Sequence, residues 1–123
     1  MTTKELGTIG EEAAVDFLIN QGYVILDRNW HYGSLELDIV ALDGDFLAIV
    51  EVKMRDYNYL VSPMDAVNKT KQKNLINAAN GYIKKFKRHE EVRFDIVSIT
   101  HHNGEILNVE LVKYAFYPSV RMR

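Results

Sequence analysis

The chain has 123 residues, 47% hydrophobic and 26% charged, with 15 Lys and Arg against 17 Asp and Glu for a net charge of −2. That length fits one domain with one substantial core, and the composition is that of a globular protein rather than a fibrous or disordered one. The chain has no cysteine, which excludes disulfide frameworks and thiolate zinc sites. No apolar run is long enough to span a bilayer and MTTKELGTIGEEAA lacks a signal-peptide core, so a cytoplasmic protein with no membrane partner is expected.

Thr2 and Glu5 have the spacing of a capping box, and Leu6, Ile9, Ala13, Phe17 and Leu18 recur at helical intervals. A first helix is expected to about Gln21, closed by Gly22. At ~100° per residue, Glu12 falls on its polar side, whereas Glu11 falls between Ala14, Val15 and Leu18 and needs a partner or an ion. Gly7 and Gly10 each cost up to ~1 kcal/mol in a helix interior, which close approach to another backbone would explain. A strand is expected from Tyr23 to Trp30, with Trp30 a packing residue rather than a stacking platform for bases.

Leu35 to Arg55, LELDIVALDGDFLAIVEVKMR, reads as a hairpin turning at Asp43-Gly44. A two-residue turn centred there sets Asp38 opposite Ile49 and Glu36 opposite Glu51. Period-2 alternation then gathers Glu36, Asp38, Glu51 and Lys53 on one face. Asp38 and Glu51 become diagonal neighbours with Cβ atoms about 7 Å apart, a span two carboxylates bridge by holding one hard cation such as Mg²⁺. The alternative is that the acids only mark where the strand reaches solvent, with Lys53 a salt-bridge partner.

After the hairpin, Asp56 to Asp65 is irregular and offers Tyr57 and Tyr59 to a ligand or to each other. In the second helix Leu75, Ile76, Ala79, Tyr82, Ile83 and Phe86 form an apolar stripe, capped by Asn68 or Thr70. Gln72 points inward from that stripe, with Lys71 at its edge. Residues 66–89 carry Lys69, Lys71, Lys73, Lys84, Lys85, Lys87 and Arg88 and no acid, a partly basic surface on a mildly acidic protein. Two strands follow, Val92 to Thr100 and Ile106 to Val112, the last an edge, with His101 and His102 exposed in the loop between them. The expected order is α-β-β-β-α-β-β, an α/β domain with a mixed central sheet flanked by helices.

Gly7-x-x-Gly10-Glu11, Asn29-Trp30, Glu36-Leu37-Asp38-Ile39-Val40, Val50-Glu51-Val52-Lys53-x-Arg55, Val67 to Gln72 and Arg93-Phe94-Asp95-Ile96-Val97 resemble, in order and spacing, the bacterial YraN-like family. Those proteins are similar to archaeal Holliday-junction resolvases of the restriction-endonuclease-like superfamily, with its PD-(D/E)xK signature. The resemblance runs from the first helix to about Val97. It implies a restriction-endonuclease-like fold, Glu11, Asp38 and Glu51 as the acidic ligands and Lys53 as the catalytic lysine. It also implies Gln72 as a supporting polar group, the Val52 carbonyl as a further ligand, and Mg²⁺ or Mn²⁺ as the metal. Glu36 belongs to the same pattern. DNA, branched or structured, is the implied substrate, with Lys69, Lys71 and Arg55 available to its phosphates and a homodimer as the related assembly. The chain departs from the pattern at His31-Tyr32-Gly33-Ser34-Leu35, where many members carry arginines and a glycine. That departure and the acidic net charge keep open a non-catalytic nucleic-acid-binding or assembly protein on the same fold.

Overall fold

The computed structural model describes residues 1–58 and 67–118. Tyr59 and Pro63 of the expected irregular segment lie outside them. Helix α1 spans Thr3–Asn20, opened by the Thr2/Glu5 capping box in both directions at 3.1 Å. Strands β1 (Val24–Tyr32), β2 (Leu35–Asp43) and β3 (Phe46–Asp56) follow, then α2 (Lys69–Phe86), β4 (Glu91–His102) and β5 (Glu105–Phe116). Asn68 is the residue that caps α2, accepting from the Lys71 N–H at 2.9 Å. The order is the expected one.

The five strands form one sheet in sequence order, antiparallel except for β3 beside β4. A parallel neighbour needs a crossover, and α2 supplies it. Alternation along the central strands divides the core in two. Leu47, Ile49, Phe94 and Ile96 pack with Leu75, Ala79, Tyr82 and Ile83 of α2. Ala48, Val50, Val97 and Ile99 pack with Ala14, Val15 and Leu18 of α1. The helices therefore cover opposite faces, an α/β arrangement consistent with the restriction-endonuclease-like fold. Trp30 lies half-buried against Tyr82 of α2, edge-on at 5.1 Å, as a packing residue.

Three local expectations are corrected. The hairpin register is shifted by two residues: Asp43 pairs with Phe46, the turn is Gly44-Asp45, and Val40 rather than Asp38 lies opposite Ile49. Asp43 stays in the strand because its carboxylate is held by Arg93 at 2.7 Å and Lys113 at 3.1 Å. Gly44 takes the first turn position at φ +57, where a side chain is strained. His101 is not an exposed loop residue but a buried member of β4, because the β3–β4 ladder extends to Asp56↔His101; its Nδ1 accepts from the Gly104 N–H at 3.3 Å. Gly10 makes room for a side chain rather than a backbone, since a Cβ there would run into Met54, while a Cβ on Gly7 would meet nothing within 4 Å.

Candidate active site

The β2–β3 ladder runs from the turn to Ile39↔Val50 and ends there. Beyond it β3 continues beside β4, while β2 stays with β1 through Trp30↔Leu37 and His31↔Glu36. The sheet therefore forks at Asp38. Strict alternation would put Leu37 and Ile39 on one face, yet Leu37 packs with the α2-side core and Ile39 with the α1-side core. That break turns Asp38 into the fork, where its Oδ2 accepts from the Val52 N–H at 2.9 Å. A strand residue projects its N–H and C=O to the same side, so the Val52 carbonyl faces the fork as well.

Glu51 lies beside this bond, only 8% exposed. Its Oε2 is 3.1 Å from Lys71 Nζ of α2, and its Oε1 is buried with no hydrogen-bond partner among the described residues. Burial pushes the Glu51 carboxyl up to about 8, and the adjacent Asp38 carboxylate acts in the same direction, against the pull of Lys71. Two carboxylates thus share a space that holds one ammonium. Expecting all four charged residues on one face was too simple. Glu36, Asp38 and Lys53 border a groove of about 640 Å³ beside the first turns of α1, while Glu51 reaches toward α2.

The groove also takes in Gly7, Thr8, Glu11 and Asn29. Glu11 finds its partner in β1: Arg28 Nε donates to its Oε1 at 2.9 Å and Asn29 Nδ2 at 2.8 Å. Arg28 also holds Glu12 at 2.7 Å. Asn29 sits at φ 49, in the left-handed region that Asn tolerates better than most residues. Sequence reasoning missed both partners, although the polar run Asp27-Arg28-Asn29 interrupting an apolar strand was a visible signal.

Lys53 is exposed at the groove. Gln72 donates Nε2 to the Val67 carbonyl at 3.1 Å, so one of its two amide N–H groups is used within the approach to α2. Arg55 is half-buried further along β3, its Nε without a partner among the described residues, and Lys69 is exposed at the first position of α2.

Among the described residues no three His, Cys, Asp or Glu side chains converge as a ready metal cage. The fork offers instead two carboxylates and a carbonyl, with Glu51 Oε1 lacking a partner. That donor set suits Mg²⁺ or Mn²⁺, since Mg²⁺ is held through one or two carboxylates and keeps several waters. The residues fit the group.

Residues 10–99 match the profile of the uncharacterised protein family UPF0102, a span that includes Glu11, Asp38, Glu51, Lys53 and Gln72. A UPF0102 protein of Bacteroides thetaiotaomicron is 45% identical over 114 residues, 93% of this chain and 93% of its own. One from Bacteroides fragilis is 47% identical over 113 residues, 92% of this chain and 93% of its own. One from Dictyoglomus turgidum is 41% identical over 118 residues, 94% of this chain and all of its own. With the profile spanning most of the chain and these relatives aligned along nearly their whole length, the chain belongs to the UPF0102, or YraN-like, family.

Proposed function

We propose that the chain is a metal-dependent endonuclease that hydrolyses phosphodiester bonds in DNA, with branched or structured DNA as its substrate. The observation that carries this reading is the buried Glu51 with a bare carboxylate oxygen beside Asp38, at the point where the sheet opens onto a groove. Carboxylates crowded in this way repel and are costly unless a cation joins them. Asp38, Glu51 and the Val52 carbonyl would hold Mg²⁺ or Mn²⁺. Such an ion polarises a phosphate oxygen and makes a bound water more acidic.

The remaining roles fall to the chain itself. Asp38 holds the Val52 N–H and so fixes the carbonyl that faces the fork. Lys53, exposed at the groove, neutralises charge that grows on the phosphate oxygens. Glu11 is held in place by Arg28 and Asn29, and it joins the ligands only by exchanging one of them. Lys69 and the lysines after Tyr82 supply a cationic helix for the DNA backbone, which is where sequence-independent affinity arises.

One observation favours a second reading, a nucleic-acid-binding or assembly protein without hydrolysis. Among the described residues no third carboxylate joins the pair at the fork. The two readings separate in one experiment: calorimetric titration of Mn²⁺ into wild type and Asp38→Ala, followed by incubation with labelled branched and linear DNA. The nuclease reading expects saturable binding and cleavage that are lost together in the variant. DNA association that persists in Glu51→Ala and Lys53→Ala, with no metal binding and no cleavage in wild type, establishes the second.

A further inference from the structure

Lys71 was expected only as one of several basic residues facing nucleic acid, yet its ammonium is committed to Glu51. Its position on α2 makes that commitment informative. Lys71 stands in the first turn, three residues after the Asn68 cap, and that turn contains no acidic residue. A positive charge there opposes the helix dipole, so its place is compensated from outside the helix. Glu51 supplies that compensation.

The two partners differ in freedom. The Lys71 side chain is 43% exposed and that of Glu51 9%. Lys71 can swing into water while Glu51 stays where the strand holds it. One ammonium also leaves the charge of the fork unbalanced, since Glu51 Oε1 has no partner and the Asp38 carboxylate lies alongside. A divalent cation carries the charge that an ammonium lacks and takes oxygens from both acids.

We propose that Lys71 is the site's own counter-cation, a positioning residue that holds Glu51 until a divalent cation displaces it. This rests on the metal site proposed above. Lys71 then competes with the metal, and removing it strengthens metal binding rather than weakening it, the reverse of what loss of a ligand or of packing does.

The test is calorimetric titration of Mn²⁺, without nucleic acid, into the full-length wild type, Lys71→Met, Lys71→Arg and Lys73→Met. Lys73→Met removes the same charge from an exposed position on the same helix. We expect Lys71→Met to bind Mn²⁺ about fivefold more tightly, the scale of one partly exposed ion pair. Lys71→Arg and Lys73→Met stay within about twofold of wild type, since the one keeps the competing charge and the other leaves the pair intact. Lys71→Gln repeats the measurement should the Met variant fold poorly. Equal or weaker binding in Lys71→Met, or equal tightening in Lys73→Met, overturns this inference and leaves the metal site standing. Absence of Mn²⁺ binding in all variants, including those freed of the competitor, overturns the metal site and this inference with it.

Discussion

Asp95 and Glu51 lie one rung apart on neighbouring strands, Asp95 beside Val50 and Glu51 beside Ile96, and both are more than nine-tenths buried. Their surroundings are opposites. Asp95 Oδ1 accepts from Arg93 Nε at 2.8 Å and from the Tyr114 N–H at 3.2 Å, and its Oδ2 from Tyr23 Oη at 3.1 Å and Arg93 at 2.8 Å. Burial, and next the charge of Asp95, push the Tyr23 phenol above its usual range, so it remains a donor. Arg93 also reaches Asp43 and lies 4.9 Å from the centre of the Phe46 ring. A buried carboxylate satisfied on both oxygens is a clamp: it ties the end of α1, the β2–β3 turn and β5 onto β4. Glu51 has one ammonium and one bare oxygen, an arrangement that costs stability and leaves room for chemistry.

This contrast can be broken in graded ways. The largest effect is expected for Asp38→Ala, which removes a proposed metal ligand without disturbing the clamp. DNA cleavage falls by more than about a hundredfold, while the denaturation midpoint moves little. Arg93→Met does the reverse. It strands the Asp95 charge and costs about 3–5 kcal/mol, read as a drop in denaturant midpoint. Glu51→Gln removes a charge that the fold holds at a cost. The metal-free protein gains on the order of 1–3 kcal/mol at pH 8, and Mn²⁺ binding is lost.

The same carboxyl gives a pH dependence with a definite sign. Its native value is raised to about 8 from 4.5. Between those limits the folded state keeps a proton that the unfolded state has released, so this contribution to stability falls as pH rises from about 4.5 to about 8. Below the lower limit the contribution is fully present and no longer changes with pH. A cation competes with that proton, so Mn²⁺ affinity rises over the same window, by at most about tenfold per pH unit. Unfolding curves at pH 5 and pH 8, in wild type and Glu51→Gln, check both slopes. The smallest effect separates two helical glycines. Gly7→Ala stabilises α1 by about 1 kcal/mol, whereas Gly10→Ala forfeits most of that gain against Met54, a difference that thermal melts resolve.

These contrasts also mark what could be read from the chain beforehand. The α2 stripe and the hairpin were legible, because each depends on periodicity within a few residues. The hairpin register was not. Local turn chemistry favours Asp43-Gly44 as the centre, and only the distant Arg93 and Lys113 hold Asp43 in the strand. The full length of β4 was hidden for a similar reason, since the pairing of His101 with Asp56 joins residues far apart in sequence. At the site, Asp38, Glu51 and Lys53 could be singled out because charges enter an apolar run. What each one touches could not, because Lys71, Arg28 and Asn29 arrive from other elements. Asp95 stood out only as part of the Arg93-Phe94-Asp95-Ile96-Val97 motif, with no role assigned to it, and its partners emerge only when α1, β2 and β5 are brought together.

The fork has a consequence for observation as well as for chemistry. Past Ile39↔Val50 the ladder on that side of β3 is broken, and the Val52 amide is held by a side-chain carboxylate instead of a strand carbonyl. Its proton therefore senses the electronic state of Asp38 across one hydrogen bond. In a nitrogen–proton correlation spectrum the Val52 resonance is a label the protein already carries, shifting when that carboxylate takes on a new partner. Its deuterium exchange times the opening of the fork.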